Sequence, residues 1–424
     1  MTASAAHPAI EAIWRIESPR LIAGLARMVR DVGLAEEFAQ DAFVAALEQW
    51  PESGVPDRPG AWLMGTAKHR AIDMLRRSKR LELKHEQLGR ELAALELETP
   101  DSEGGRDAEI ADDLLRLVFT ACHPVLPTES RVALTLRLLG GLTTEEIARA
   151  FLVPVPTIAQ RIVRAKRTLT EAHVPFEIPG GVELAGRLSS VLEVIYLVFN
   201  EGYSATAGED WLRPALCEDA LRLGRVLAEL APEQPEVHGL VALLEIQSSR
   251  VRTRTSRSGE PILLLEQDRS RWDQLLIRRG LAALQRAEEL GGALGPYALQ
   301  AAIAACHARA RAAEDTDWER IAALYDALAQ LLPSPVVELN RAVAVAMAFG
   351  PAAGLDLVDA LQSEPSLQGY HLLPSVRGDL LAKLGRPAEA QAEFKHAASL
   401  TRNERERKLL LQRAAACALE AAAL

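Results

Sequence analysis

Two stretches of the sequence combine basic side chains with helical spacing, and such stretches are suited to binding phosphate groups. Between Pro154 and Leu169 there are four basic residues and no acid, a local charge of +4. Between Trp62 and Lys84 the local charge is +5, whereas the segment 90–113 has a local charge of −7. Two basic segments on either side of an acidic tract indicate two surfaces for a polyanion. Charge runs are also typical of solvated helix faces, so charge alone does not separate the two interpretations.

Signatures of catalysis and of metal binding are absent from the sequence. It contains no GxxxxGKS/T phosphate loop, no HExxH motif and no GxSxG motif, which argues against nucleotide hydrolysis, zinc proteolysis and hydrolase chemistry. The cysteines are widely separated, so we expect buried thiols in a reducing compartment. They are Cys122, Cys217, Cys306 and Cys417. We therefore expect no catalytic residue, no metal and no cofactor.

The composition favours helices. The 424 residues carry a net charge of −10, are only 4% aromatic, and are rich in the residues that helices prefer, so we expect an all-α fold of two or three domains. The proline-rich stretch 50–60 is expected to be a loop, 97–109 a flexible linker, and 174–181 a break between helical blocks.

The longest apolar run, 342–355, is too short to span a membrane. The N-terminus lacks the pattern of a signal peptide, so a cytoplasmic location is expected.

The most specific pattern is TTEEIARAFLVPVPTIAQRIVRAKRTL at residues 143–169. Thr143 followed by Glu146 is a capping box, which begins a helix. Pro154 and Pro156 fix a turn and the start of a second helix. The positions that a helix-turn-helix needs to be apolar or small are filled by Ile147, Ala148, Phe151, Val153 and Ile158. The second helix then leaves its basic residues available to enter a major groove and to contact phosphates. A chance pair of amphipathic helices is the alternative.

This segment resembles region 4 of bacterial sigma factors, in which the second helix reads the minus-35 promoter element. The resemblance implies that residues 110–175 form that domain. It also implies that the second helix supplies the minus-35 contacts, from Thr157, Gln160, Arg161, Arg164, Lys166 and Arg167.

The N-terminal block resembles region 2 of the same family and implies a domain at 1–84, followed by an acidic linker at 85–109. Residues 35–50 resemble the helix that docks on the clamp of RNA polymerase, and residues 58–80 resemble the helix that melts and captures the minus-ten element. The docking residues implied are Gln40, Asp41 and Phe43. The minus-ten contacts implied are Arg58, Lys68, Arg70, Arg76 and Arg77. For Phe43 a place in the core is an equal alternative, and for Trp62 the core is favoured over base stacking.

The C-terminal part, 181–424, is expected to be an α-helical domain with a tetratricopeptide-like repeat. Its clearest copy is GDLLAKLGRPAEAQAEFKHAASL at 378–400, where Gly378 allows two helices to approach closely and Phe394 packs against the next helix pair. A non-repeating helical bundle is the alternative. Arginines alternate with Ser, Thr and Gly in the segment 250–257, which is expected to be a solvated loop.

The order of the two segments and the gap between them point to the extracytoplasmic-function group of sigma factors with a fused C-terminal domain. The resemblance implies a protein that binds core RNA polymerase and directs it to promoter DNA. The polymerase then performs the nucleotidyl transfer with its own magnesium. The C-terminal domain would regulate this activity, with a protein regulator as its partner. A DNA-binding activator or a tetratricopeptide-type adaptor is the alternative, although neither needs a docking helix followed by a basic melting helix.

Overall fold

The computed structural model of the chain describes residues 3–82, 103–151, 153–204, 207–208, 211–256 and 259–423. Within these residues the chain forms 18 α-helices and one pair of two-residue strands, which confirms the all-α prediction. It divides into two compact units, Met1–Val194 and Ile195–Leu424. No helix in the described part of the chain is long and apolar enough to cross a membrane.

Seven helices and the start of an eighth build the first unit. They are α1 (Ala3–Val29), α2 (Val32–Ser53), α3 (Pro59–Glu82), α4 (Glu103–Ala121), α5 (Thr128–Leu138), α6 (Thr144–Phe151), α7 (Val155–Glu171) and α8 (Gly181–Tyr203). Apolar positions at helical spacing face inward, as the periodicity predicts. Leu25, Phe38, Leu63 and Leu117 are among the buried side chains. Between α1 and α2, Asp31 caps the second helix, since its carboxylate accepts a 2.9 Å hydrogen bond from the Leu34 amide.

The loop expected at 50–60 is much shorter than predicted. Helix α2 continues through Pro51 to Ser53, and α3 begins at Pro59. Pro51 lies in the last turn of α2, where the loss of one backbone hydrogen bond is tolerated. The helix ends at Gly54, which has a φ of 84° and donates its amide to the Trp50 carbonyl at 2.9 Å. A glycine at the left-handed position, rather than the proline, therefore ends the helix.

The acidic linker at 85–109 lies largely outside the described residues. Its last seven residues are described, and they form the first turns of α4, which begins at Glu103. Acidic side chains near the start of a helix favour that start through the helix dipole. The buried face of α4, with Leu115 and Val118, lies further along the same helix.

The break predicted at 174–181 is present, because α7 ends at Glu171 and α8 begins at Gly181. The division between the two units falls later, between Val194 and Ile195, within α8. The early part of α8 is held to the first unit by polar contacts. Arg187 Nη2 donates to the Phe119 carbonyl at 2.9 Å, and Ser190 Oγ donates to the Cys122 carbonyl at 2.6 Å. The domain boundary at 181 thus remains a prediction, whereas residues up to 194 pack with the first unit.

The second unit is a succession of helices, most of which pack on their neighbours along the chain. They are α9 (Pro214–Leu230), α10 (Pro235–Ser248), α11 (Gln274–Glu289), α12 (Pro296–Arg309), α13 (Trp318–Leu331), α14 (Pro335–Phe349), α15 (Pro351–Ala360), α16 (Leu372–Lys383), α17 (Pro387–Leu400) and α18 (Glu404–Ala423). The strands β1 (Ala207–Gly208) and β2 (Arg402–Asn403) pair in parallel.

The helix pair α16–α17 has the close contact that the sequence predicts for 378–400. A Cβ atom on Gly378 would lie 3.0 Å from the Phe394 ring, so a larger residue there would push the two helices apart. Phe394 is fully buried, and the Arg413 guanidinium of α18 lies over its ring at 4.3 Å. This geometry agrees with stacked helix pairs, while the tetratricopeptide-like repeat itself stays a prediction.

The expectation of a solvated arginine loop at 250–257 is wrong for Arg254. Its side chain is buried and lies over the rings of Tyr203 and Trp211, at 3.5 and 4.6 Å from the ring centres. Arg254 Nη1 also donates to the Tyr203 carbonyl at 2.6 Å. The aromatic faces and this carbonyl replace the water that the interleaved Ser and Thr residues suggested.

Candidate nucleic-acid interface

The helix-turn-helix is present at the predicted position, with the predicted cap. Glu146 N donates to Thr143 Oγ1 at 3.1 Å, and Glu146 Oε2 accepts from Thr143 N at 2.8 Å, which completes the capping box. The turn between α6 and α7 is closed by a 3.0 Å hydrogen bond from the Val153 amide to the Ala148 carbonyl. Buried side chains at the predicted positions hold the two helices together, namely Ile147, Ala148, Ile158, Ile162 and Leu169.

The solvent-facing side of α7 presents part of the predicted minus-35 set. Gln160, Arg164 and Arg167 are exposed, and Arg167 forms a 2.7 Å ion pair with Glu171 one turn later. Thr157 and Arg161 are half-buried. The exposed residues recur at i, i+4 and i+7, so they form a stripe opposite the buried one.

Lys166 lies away from this stripe and forms an ion pair with Glu36 of α2. Glu36 is only 3% exposed, and its Oε1 also accepts a 2.6 Å hydrogen bond from Arg137 Nε and a 2.5 Å bond from Gln40 Nε2. Burial acts to raise the pKa of Glu36, but the charges of Lys166 and Arg137 outweigh burial and lower that pKa. A predicted minus-35 residue and a predicted docking residue thus meet at one buried carboxylate.

The remaining docking residues lie along α2 in different environments. Asp41 is exposed and forms a 3.0 Å ion pair with Arg70 of α3. Phe43 is half-buried and stacks on Trp14 of α1, with 4.6 Å between the ring centres. The exposed residues of α2 include Glu37, Asp41, Val44 and Glu48. Sequence reasoning missed Glu37 and Glu48, although they lie four residues before and seven residues after Asp41, at helical spacing on the same face.

Helix α3 carries the predicted minus-ten residues. Lys68 and Arg70 are exposed on it, whereas the side chains of Arg76 and Arg77 lie outside the described residues. Arg58 is exposed in the short loop before this helix. Trp62 is half-buried, and its ring packs edge-on against the buried Trp50 ring at 5.3 Å, in keeping with the favoured core assignment.

No metal site is built by the described residues, which contain no group of three or more potential metal-ligating side chains. The four cysteines are all buried and unpaired by disulfides. Burial raises the pKa of Cys122 to about 11 and that of Cys217 to about 12. Both thiols are therefore protonated and unreactive at neutral pH.

Three segments of the chain match known families. Residues 13–81 match Sigma-70 region 2, and residues 116–169 match Sigma-70 region 4. Residues 187–288 match a family of unknown function, DUF6596. The first segment contains the helices predicted to carry the docking and minus-ten residues, and the second segment contains the helix-turn-helix.

The chain is also similar to an uncharacterized protein over most of its length and to proteins named as sigma factors over a smaller part. An uncharacterized protein of Rhizobium meliloti is 45% identical over 92% of this chain and 91% of its own length. The RNA polymerase sigma-H factor of Pseudomonas aeruginosa is 28% identical over 37% of this chain and 81% of its own length. A probable extracytoplasmic-function sigma factor of Mycobacterium tuberculosis, SigI, is 27% identical over 40% of this chain and 57% of its own length.

No solved structure matches the chain significantly. The match to the Rhizobium meliloti protein covers both units, whereas the matches to these two named sigma factors cover 37% and 40% of the chain. Both regions are present, each with its helices formed. The two Sigma-70 regions and the sigma factor relatives together support an extracytoplasmic-function sigma factor, and the match to the Rhizobium meliloti protein extends over both units.

Proposed function

We propose that the chain binds core RNA polymerase through the exposed face of α2 and directs it to promoters through α3 and α7. The observation that carries this proposal is the contrast between two exposed helix faces of one compact unit. The face of α2 is acidic, with Glu37, Asp41 and Glu48, and the face of α7 carries Arg164 and Arg167. An acidic face suits a basic protein partner, and a basic face suits the DNA backbone.

The second helix of the helix-turn-helix supplies the minus-35 contacts in this proposal. Arg164 and Arg167 bind phosphates or base edges, and Gln160 reads a base in the major groove. The minus-ten contacts come from α3 and the loop before it, with Arg58, Lys68, Arg70, Arg76 and Arg77. The chain performs no chemistry itself, because the polymerase with its own magnesium performs nucleotidyl transfer.

The second unit binds protein in this proposal, and that binding regulates initiation. Residues 181–424 contain 26 basic and 32 acidic residues, a net charge of −6, which disfavours a second DNA surface. Stacked helix pairs offer extended surfaces on which partner segments bind. The partner is a regulator or a part of the polymerase itself.

Run-off transcription tests the proposal. Purified core polymerase is combined with the full-length chain on fragments of the genome that encodes it, with core polymerase alone as the control. We expect new transcripts that start at defined positions and share upstream sequence elements. Promoter binding without any transcription by core polymerase would instead support a DNA-binding activator.

A further inference from the structure

One large apolar side chain lies among the polar residues of the solvent-facing side of α7. Val163 is 64% exposed, more than almost any other large apolar residue in the described part of the chain. The core does not need it, because the opposite side of α7 already buries Ile158, Ile162 and Leu169. Its position therefore has to be understood from what contacts the exposed side.

Val163 lies within the stripe of polar residues rather than at its margin with the core. At 3.6 residues per turn, its side chain points within about 60° of Gln160 and about 40° of Arg167. Arg164 follows it directly and flanks the same stripe. The ion pair of Lys166 with Glu36 leaves this side of α7 open, so Val163 is accessible in the structure described here.

The surroundings of Val163 identify the partner as nucleic acid rather than protein. Residues 154–169 contain four basic residues and no acid, and Val163, even together with the less exposed Val155, offers too little apolar surface for a hydrophobic protein-binding patch. When the flanking arginines contact DNA, Val163 faces the base edges of the major groove. The apolar group that the major groove presents there is the C5-methyl of thymine.

We propose that Val163 is a specificity-determining residue, which contacts the methyl group of one thymine in the upstream promoter element. This inference rests on the proposed function, since it requires that α7 reads that element. It adds a contact of a different kind from those of the arginines. The arginines donate hydrogen bonds to acceptors on base edges or phosphates, whereas a valine favours thymine through its methyl group.

The test uses the full-length chain with core polymerase on a promoter found by run-off transcription. Each thymine of the upstream element is replaced in turn by uracil, which lacks only the methyl group. Binding is compared for the unaltered chain, Val163→Ala and Val155→Ala. Val155 is a second exposed valine of the same helix, so its variant is a matched control. Neither change should impair folding, since alanine is the better helix former.

At one thymine we expect uracil to weaken binding by the unaltered chain about fourfold, the effect of losing one buried methyl group. Val163→Ala should lose the same factor on the thymine promoter and show no further loss with uracil. Val155→Ala should respond to uracil as the unaltered chain does.

Two results would overturn the inference while transcription itself persists. One is an upstream element at which every uracil replacement affects binding by the unaltered chain and by Val163→Ala equally; an element without thymine counts as this result. The other is a uracil replacement whose effect on binding is also abolished by Val155→Ala. A complete lack of transcription from any fragment is a different result, which removes the proposed function and this inference with it.

Discussion

Arg137 of α5 and Glu36 of α2 are joined by a 2.6 Å hydrogen bond between Nε and Oε1, within a carboxylate site that is almost completely buried. Lys166 of α7 forms an ion pair with the same carboxylate. Residues of regions 2 and 4 are thereby bound to one another inside the first unit. Because one buried acid here serves two cationic partners, the loss of the acid leaves both cations without compensation, whereas the loss of one cation still leaves an ion pair.

The first prediction concerns the stability that Glu36 provides. Glu36→Ala leaves Arg137 and Lys166 without their acid, and we expect the free energy of unfolding of the first unit to fall by about 3 kcal/mol. Chemical denaturation followed by circular dichroism measures this. Glu37→Ala, at the exposed neighbouring position, is the matched control and should change the stability by less than about 0.5 kcal/mol. Equal effects of the two variants would contradict the role assigned to Glu36.

The second prediction concerns the pH dependence of that stability. The pKa of Glu36 in the folded chain is lowered from its usual value of 4.5, so the folded state binds this proton more weakly than the unfolded state does. The stabilisation is therefore fully present above about pH 4.5 and is lost as the pH falls through the folded pKa. Denaturation midpoints of the unaltered chain and Glu36→Gln between pH 7 and pH 3 should converge on acidification. A constant difference over this range would exclude Glu36 as the titrating group.

The third prediction concerns the basic face of α7. Replacing Arg161 and Arg164 with alanine should weaken binding to the minus-35 element, because a lost base contact typically costs about 1 to 3 kcal/mol. Gel-shift titration with polymerase and the chain measures this. Arg278 and Arg279 are exposed arginines of the second unit, and their double alanine variant is the control. Unchanged promoter affinity with a native circular dichroism spectrum would contradict the assignment of α7.

The fourth prediction separates docking from melting. Asp41→Lys places a cation beside Arg70 and replaces one negative charge of the exposed face of α2 with a positive one, so a pull-down with core polymerase should lose the chain. Replacing Arg76 and Arg77 with alanine should leave polymerase binding intact but reduce the permanganate reactivity of promoter thymines. Glu288→Lys, an exposed position of the second unit, is the charge-reversal control. If both sets of variants lose the same step, the division of roles between α2 and α3 is wrong.

The fifth prediction concerns the C-terminal region and where to cut it. A fragment ending at 180 lacks Arg187 and Ser190, which bind the carbonyls of Phe119 and Cys122, so we expect it to be less stable than a fragment ending at 194 by roughly 3 kcal/mol. Thermal unfolding compares the two.

The longer fragment then serves for transcription. With core polymerase, its promoter-dependent activity should differ markedly from that of the full-length chain, because the second unit is proposed to regulate initiation. Equal transcription by the fragment and the full-length chain, both with purified components and in cells, would contradict that regulatory role.

The sequence predicted what depends on local spacing. The capping box of Thr143 and Glu146, the turn at Pro154 and the buried stripe with Ile158 and Ile162 each follow from residues a few positions apart, and the structure confirms them. Secondary structure and the faces of individual helices are fixed largely at this range. The site residues themselves remain predictions, although the structure shows which of them are exposed.

What the sequence did not predict depends on packing between distant elements. Glu36 and Lys166 are 130 positions apart, and nothing in either segment indicates that they pair. Arg254 belongs to a polar segment of the sequence, yet in the folded chain its guanidinium packs on the rings of Tyr203 and Trp211. The neighbouring residues in sequence suggest that such a basic side chain is exposed to solvent. Only the tertiary structure shows which groups compensate its charge.

Because the four cysteines are buried, chemical labelling of their thiols measures local unfolding of the chain. A protonated thiol inside a core reacts with alkylating reagents only when its surroundings unfold, so the rate of mass labelling measures local opening. Cys122 is the one cysteine before residue 195, and Cys217, Cys306 and Cys417 follow it. A single label on Cys122 therefore reports the opening of the first unit, and labels on the other three cysteines report the opening of the second unit, in one full-length sample with or without core polymerase.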